Sequence, residues 1–223
     1  MIGPLDDGDV FGSFIASIGD LDGDLVPDLV VGAPNDDDGG SNRGAAYVLL
    51  LNADGTVRAE QKISDTTGGL TAALDNGDSF GSGVTSLGDL DGDGIQDLFV
   101  GARFDDDGGS NRGAAYVLFL NTDGTVRAEQ KISDITGGLV ATLDDGVFFG
   151  KSADGIGDLD GDGVPDVVVS APHAAGESGE LHVLFLATDG TVAGEQRITA
   201  GVGGFTGSLG ADRFGSSVSS LGD

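Results

Sequence analysis

The chain is 223 residues long and carries 38 aspartates and glutamates against 10 lysines and arginines, which gives a net charge of −28. This charge excludes nucleic acids and anionic membranes as favoured partners, because phosphate binding requires lysine and arginine, and it favours cations or basic protein surfaces. The absence of cysteine excludes disulfides and thiolate metal sites. A hydrophobic fraction of 39% allows a packed core, and no apolar run approaches the ~20 residues needed for membrane insertion.

The chain is built from repeats. The segment FGSFIASIGDLDGDLVPDLVVGAP begins at Phe11, and similar segments begin at Phe80 and Phe149, so that 69 residues separate consecutive copies. A shorter copy, FGSSVSSLGD, begins at Phe214 and stops where its acidic loop would start. Self-similarity at a fixed period indicates a repeat architecture. We therefore predict three full repeats and the first strand of a fourth, with boundaries at 1–73, 74–142, 143–208 and 209–223.

Each unit is predicted to contain four short strands. In the first unit they span about 13–18, 28–32, 45–51 and 57–63, and an Asp-Gly pair before the fourth strand is a hairpin signal. No helical periodicity is present. Four antiparallel strands at a fixed period are typical of a β-propeller blade, so the predicted fold class is all-β. Such a meander places the loop after the first strand on one face and the DDDGGSNRG loop on the opposite face.

The loop after the first strand carries four aspartates, at positions 1, 3, 5 and 9 of the motifs DLDGDLVPD, DLDGDGIQD and DLDGDGVPD, which begin at Asp20, Asp89 and Asp158. Hard oxygen ligands at this density suit calcium, whereas zinc prefers histidine or cysteine. The motif is not an EF-hand, because position 12 is a valine within a strand. The alternative is a solvated acidic turn, and the same register in three copies argues against it.

The motifs of the units follow the consensus order FG, GDLDGDGxxDLxVGAP and YV. This order resembles the FG-GAP repeats of integrin alpha-subunit propellers and their bacterial relatives, and the resemblance covers essentially the whole chain. The resemblance implies a β-propeller with about one Ca²⁺ per complete repeat, held in the first hairpin loop of the blade. Position 7 of each loop would contribute its backbone carbonyl. The implied ligands are Asp20, Asp22, Asp24, Val26, Asp28; Asp89, Asp91, Asp93, Ile95, Asp97; and Asp158, Asp160, Asp162, Val164, Asp166.

The units depart from this pattern at several positions. Leu25 replaces the glycine found at Gly94 and Gly163, so we expect strain or weaker binding in the first loop. The GAP triplet becomes GAR at Arg103 and SAP at Ser170, and the third unit has HAAGESG in place of DDDGGSNRG.

The loops on the opposite face also carry charge. Asp36–Asp38 and Asp105–Asp107 are predicted to be solvated charge runs, with a second cation site or a recognition rim as the alternatives. Arg43 and Arg112 follow them and are predicted to pair with the local aspartates.

The recurring aromatic residues are assigned to packing. One phenylalanine per unit is predicted to lie in the core between blades, and the tyrosine of the third strand is interpreted in the same way. The two histidines have no matched serine or cysteine and are predicted to be ordinary loop and strand residues. These residues are Phe11, Phe80, Phe149, Phe214, Tyr47, Tyr116, His173 and His182.

We expect a non-enzymatic extracellular or cell-surface module that serves adhesion or protein assembly, with structural rather than catalytic calcium. The alternative is an accessory propeller of a larger secreted enzyme whose catalytic residues lie outside this chain. Catalysis by the module itself is a weaker hypothesis, because calcium ligation explains the best-placed acids. No signal segment opens the chain, so we expect any export signal to lie outside it.

Three units and a fraction are fewer than the roughly four to eight blades of a closed propeller. Either blades are missing from this chain, or several chains complete a ring, or the units form an open array. A first strand at 216–221 would leave an unpaired edge, and such edges favour pairing with another chain. The sequence therefore predicts a protein partner, or self-association as a homo-oligomer or filament, through edge strands and the loops opposite the calcium sites.

Overall fold

The computed structural model describes residues 5–221, which form twelve strands and one helical turn, α1 (Ala174–Glu177). No helix within residues 5–221 has the length and hydropathy required to cross a bilayer. The strands are β1 (Phe14–Gly19), β2 (Asp28–Ala33), β3 (Ala45–Leu51), β4 (Val57–Ile63), β5 (Phe80–Gly88), β6 (Asp97–Ala102), β7 (Ala114–Leu120), β8 (Val126–Ile132), β9 (Ala153–Gly157), β10 (Asp166–Ala171), β11 (Glu180–Leu186) and β12 (Val192–Ile198).

The strands form three antiparallel four-stranded meanders, β1-β2-β3-β4, β5-β6-β7-β8 and β9-β10-β11-β12. The predicted all-β class and the four-stranded unit are confirmed. The first sheet contacts the second through β1, β2, β3 and β5, and the second contacts the third through β5 and β9. The described sheets are therefore stacked like consecutive propeller blades, and these three sheets do not close into a ring.

Apolar side chains between neighbouring sheets form two cores. The first core includes Val48 and Leu50 of the first sheet and Tyr116 and Leu118 of the second. The second core is made in the same way by the second and third sheets. Because the middle sheet is covered on both faces, every residue of β7 is buried, which explains its continuous apolar sequence, AAYVLFL.

A glycine in the second strand of the unit allows adjacent sheets to approach closely. A Cβ atom added to Gly101 would lie 1.8 Å from the carbonyl oxygen of Gly150 in the next unit. Gly32 and Gly81 make the same approach between the first and second sheets. The third unit has Ser170 at this position. The Cβ atom of Ser170 lies where the carbonyl oxygen of the next unit lies at the other two junctions, so the same close approach is not possible there.

The recurring phenylalanine lies at the junction between units, but its burial depends on its neighbours. Phe80 and Phe149 are fully buried, which confirms the prediction for these two. Phe80 stands edge-on to the buried Tyr116, with ring centroids 5.4 Å apart. Phe11 makes the equivalent contact yet is 42% exposed, and Phe214 stacks on Phe205 instead.

The prediction of a first strand at 216–221 is wrong, because these residues form no strand. The segment nevertheless lies beside β9 and the residue that precedes it, because the N–H groups of Val218 and Ser220 donate to Ser152 Oγ (3.2 Å) and Asp154 Oδ2 (2.5 Å). Side chains, rather than backbone carbonyls, accept these bonds. A strand requires a partner with which to exchange backbone hydrogen bonds, and the described residues supply none here.

Candidate metal centres

The three acidic loops occupy equivalent places in the three sheets, each joining the first strand of the unit to the second. In each loop, carboxylate oxygens of the aspartates at positions 1, 3 and 9 lie within 4.8 Å of one another. The clusters are Asp20, Asp22, Asp28; Asp89, Asp91, Asp97; and Asp158, Asp160, Asp166.

The first aspartate organises the loop through the backbone. Asp89 Oδ1 accepts a hydrogen bond from the N–H of Gly92 (2.8 Å), and its Oδ2 accepts one from the N–H of Gly94 (2.9 Å). Asp20 and Asp158 accept the corresponding bonds in their own loops. These bonds turn the chain back on itself and bring the third and ninth aspartates towards the first.

The ninth aspartate connects the loop to the sheet. Asp97 is fully buried, and its two oxygens accept the N–H of Leu90 (3.0 Å) and the N–H of Leu120 at the end of β7 (3.2 Å). Asp28 and Asp166 accept the same pair of bonds. One carboxylate thus holds together the loop, the beginning of the second strand and the end of the third.

Burial makes ionisation of the carboxylate at position 9 unfavourable. It raises the pKa of Asp97 to about 6; the backbone hydrogen bonds oppose the shift, whereas the charges of Asp91 and Asp93 add to it. The pKa of Asp166 is raised for the same physical reasons. A bound cation would offset both burial and repulsion, because an opposite charge at close range favours the ionised form.

The remaining predicted ligands occupy the rim of the loop. The aspartates at position 5 lie outside the three-residue clusters, and each accepts the N–H of position 7 through Oδ1, as Asp93 does from Ile95 at 2.8 Å. Asp24 and Asp162 form the same short turn. The side chains of Ile95 and Val164 pack against the two cores.

The residues present fit a hard divalent cation such as calcium. All three clusters consist of carboxylate oxygens, the donor class that calcium prefers. In the first loop Asp22 Oδ1 is buried and has no hydrogen-bond partner among the described residues. A buried carboxylate oxygen without a partner is destabilising unless something coordinates it.

The first loop contains the backbone strain expected from its sequence. Leu25 has a φ of 67° and is 89% exposed, whereas its counterparts Gly94 and Gly163 have φ values of 89° and 92°. A left-handed conformation costs a residue with a Cβ about 1–2 kcal/mol, and glycine avoids this cost.

Leu25→Gly is therefore expected to raise the free energy of unfolding by about 0.5–1 kcal/mol, because the greater freedom of glycine in the unfolded chain offsets part of the gain. Urea denaturation in the presence of a chelator measures the effect without a contribution from metal. The reciprocal change Gly94→Leu is expected to destabilise the protein by a similar amount. Equal stabilities for Leu25→Gly and wild type would show that the first loop is unstrained.

An arginine that was not predicted from the sequence faces the acidic loop in two units. Arg58 of β4 contacts Asp22 and Asp24, and Arg127 of β8 contacts Asp91 and Asp93. The available signal is the fourth strand itself, which reads VRAEQKI in the first two units and VAGEQRI in the third.

On the opposite face, the prediction of a solvated charge run is wrong for the first aspartate of each loop. Asp36 is 2% exposed, and the Nζ of Lys62, itself 1% exposed, lies 2.8 Å from it and 2.6 Å from Asp38. The hydroxyl of Tyr47 donates to Asp36 at 3.0 Å. The second unit repeats the arrangement with Lys131, Asp105, Asp107 and Tyr116. A lysine ammonium therefore offsets part of the negative charge of each loop, and only the middle aspartates, Asp37 and Asp106, are exposed.

The predicted pairing of the loop arginines with local aspartates is also wrong. Arg43 pairs with Asp65 at 2.6 Å, and Arg112 pairs with Asp134 (2.6 Å) and Asp145 (2.8 Å). These carboxylates lie after the fourth strand of the unit. The arginines therefore tie the opposite-face loop to the segment that leads into the next unit.

The third unit replaces the lysine arrangement with different charged residues. His182 occupies the tyrosine position, is 2% exposed, and its Nδ1 lies 2.6 Å from Glu195 Oε1. Arg197 pairs with the buried Glu180. Burial acts to raise the pKa of Glu195, but the contact with His182 and the hydrogen bonds from the N–H groups of Ala141 and Val140 lower it on balance. His182 is a strand residue and His173 lies in a turn, which confirms the predicted loop and strand locations; the helical turn α1 that follows His173 was not predicted.

Four-stranded meanders stacked face to face, each with a carboxylate cluster between its first two strands, define a repeat protein of the β-propeller class. A family model described as FG-GAP repeat matches residues 11–49, 80–118 and 149–184. The chain belongs to the FG-GAP repeat family.

The chain is also similar to integrin alpha subunits. It is 34% identical over 168 residues to integrin alpha-2 of Mus musculus, covering 74% of this chain and 13% of that protein. It is 33% identical over 163 residues to integrin alpha-5 of Xenopus laevis, covering 71% of this chain and 14% of that protein. It is 32% identical over 169 residues to integrin alpha-PS2 of Drosophila melanogaster, covering 74% of this chain and 12% of that protein. The chain thus spans about an eighth of the length of these relatives.

Proposed function

We propose that the chain is an extracellular or cell-surface calcium-binding repeat module for adhesion or protein assembly, in which calcium is structural. The observation that carries this proposal is the recurrence of one carboxylate cluster at the same place in all three sheets. Membership of the FG-GAP family supports it, because integrin alpha subunits are cell-surface adhesion proteins.

The proposed ligands are those inferred from the sequence, namely the four aspartates of each loop and the backbone carbonyl of position 7. Calcium would neutralise the clustered carboxylates and satisfy the unpartnered Asp22 Oδ1. The chain's own residues hold the loop against the sheet, since Asp97 and its counterparts bind backbone N–H groups of the loop and of the third strand. An ion that binds only the folded loop stabilises the fold by mass action.

We propose a protein as the partner, recognised through the loops opposite the calcium sites. The self-association hypothesis is a weaker proposal, because it depended on an edge strand at 216–221, and the described residues of that segment form no strand. The alternative of an accessory propeller in a larger enzyme stays a prediction, and a catalytic domain in the flanking sequence of the full-length protein would favour it.

Calorimetric titration with calcium is expected to give about three bound ions per chain, one for each carboxylate cluster. Asp160→Ala is expected to reduce this number to two, because Asp160 is an exposed member of the third cluster whose truncation leaves the core intact. Calcium should also raise the melting temperature, since one site at 100 times its Kd contributes about 2.7 kcal/mol.

The matched control is Asp7→Ala, which removes an exposed carboxylate outside the loops and should leave three ions bound. Two results would contradict the proposal: an absence of saturable calcium binding, or three ions still bound by Asp160→Ala. A melting temperature that is the same in calcium and in excess chelator would leave binding intact but remove the structural role.

A further inference from the structure

The arginine beside the acidic loop touches only one oxygen of each carboxylate. Arg127 Nη2 lies 2.7 Å from Asp91 Oδ2 and 2.8 Å from Asp93 Oδ2. Arg58 contacts the same Oδ2 atoms of Asp22 and Asp24, while Asp22 Oδ1 stays without a hydrogen-bond partner among the described residues. The guanidinium therefore does not occupy the Oδ1 atom of the position 3 carboxylate, which is unpartnered in Asp22 and accepts only the N–H of Asp93 (3.2 Å) in Asp91.

A β-bulge positions this arginine. In the first sheet Leu50 pairs with Ala59 and Leu51 pairs with Val57, so Arg58 is the extra residue on β4. Arg127 is the extra residue at the same bulge in the second sheet. A bulge re-aims the side chain of its extra residue, here towards the loop that joins the first two strands.

The third sheet has the bulge without the arginine. Phe185 pairs with Gly194 and Leu186 pairs with Val192, which makes Ala193 the extra residue. The third loop has the same four aspartates at positions 1, 3, 5 and 9 as the other two. The three loops thus share an acidic ligand set and differ in the charge next to it.

We propose that Arg58 and Arg127 are built-in countercharges that lower the calcium affinity of the first and second loops, and that the third loop binds calcium most tightly. This proposal rests on the calcium function proposed above and adds a ranking of the sites. It also assigns an affinity-determining role to a side chain that is not itself a ligand.

The physical reason is electrostatic. Four aspartates with an adjacent arginine carry a net charge of −3, whereas four aspartates alone carry −4, and calcium affinity depends on the charge count of the site. Without metal, the guanidinium also offsets the repulsion between the carboxylates at positions 3 and 5. The first two loops are therefore partly neutralised before calcium binds, whereas no lysine or arginine among residues 5–221 forms an ion pair with an aspartate of the third loop.

Single substitutions at the bulge position test this ranking within one protein. Arg127→Ala is expected to tighten the second site by about tenfold, and Ala193→Arg is expected to weaken the third by about tenfold. The readout is a calcium titration followed by NMR, in which the amide of Gly92 reports the second loop and that of Gly161 the third. Each of these N–H groups donates to the first aspartate of its own loop.

Two controls separate charge from geometry. Arg127→Lys retains the positive charge and should leave the second site close to its wild-type affinity. Arg213→Ala removes an arginine that pairs with Glu177, away from the acidic loops, and tests whether overall charge alone changes affinity. A melting curve for each variant in chelator verifies that the fold is retained.

The outcomes distinguish the two proposals. If the wild type binds no calcium, the proposed function fails. If three ions bind with unchanged site affinities in Arg127→Ala and Ala193→Arg, only the countercharge proposal is overturned. If Arg127→Ala weakens the second site, the arginine supports the ligands rather than competing with the ion, which also overturns the proposal.

Discussion

Lys62→Met is expected to lower the free energy of unfolding by about 3–5 kcal/mol, because it leaves the carboxylate of Asp36 buried without its countercharge. Lys62 and Asp36 are 1% and 2% exposed, and the ammonium also lies 2.6 Å from Asp38. Methionine retains most of the side-chain volume, so that the loss reports charge rather than a cavity. Urea denaturation at neutral pH in the presence of calcium measures the effect.

Lys131→Met is the matched control. It removes the same contacts, at 2.8 Å to Asp105 and to Asp107, but the side chain of Lys131 is 22% exposed, so water can solvate the carboxylates that remain. We expect a smaller loss than for Lys62→Met. Adding Asp36→Asn to Lys62→Met should recover part of the stability, because it removes the uncompensated charge. A cost for Lys62→Met below 1 kcal/mol would contradict a buried charge pair.

Phe80→Ala is expected to lower the free energy of unfolding by about 3–5 kcal/mol, the usual cost of truncating a fully buried phenylalanine. Phe80 is completely buried in the core between the first two sheets and stands edge-on to Tyr116. Its own backbone bond, from its N–H to Arg43 O at 2.9 Å, does not depend on the side chain. Chemical denaturation of the variant therefore measures the packing between units.

Phe11→Ala provides the comparison within the same repeat motif. Phe11 also stands edge-on to a tyrosine, Tyr47, with centroids 5.2 Å apart, but it is 42% exposed. Its truncation removes less area from the core, and we expect less than half the cost of Phe80→Ala. Equal losses for the two variants would mean that the buried junction does not contribute more than the partly exposed one.

The strands of each unit could be predicted from local patterns. The runs 45–51 and 57–63 match β3 and β4, because a hairpin signal lies between them and the same pattern recurs 69 residues later. The acidic loops could also be predicted, because their motif recurs in all three units. Their carboxylates lie within nine consecutive residues, so a tight turn suffices to bring positions 1, 3 and 9 together.

The segment at 216–221 shows where a local pattern is insufficient. Its sequence resembles the first strands of the other units, yet it forms no strand in the described residues. A strand depends on backbone partners supplied by other segments, and here the side chains of Ser152 and Asp154 accept two of its N–H groups instead.

The charges of the opposite-face loop illustrate the same limit. Lys62 lies 26 residues from Asp36, and in sequence it is one polar residue of an alternating strand. Only the register of β3 and β4, which places Lys62 opposite Tyr47, brings the ammonium under the loop. Arg127 and Asp91, 36 residues apart, meet at the acidic loop because of a bulge in that same strand pair of the second unit.

Repetition and local charge density therefore determine the fold class, the four-stranded unit and the positions of the acidic loops, since these features depend on residues that are close in the chain. The partners of the aspartates are decided by tertiary structure. Strand register places a lysine beneath the opposite-face loops of the first two units, and a bulge places an arginine beside two of the three acidic loops. Pairing between charges that are distant in sequence requires the completed sheet.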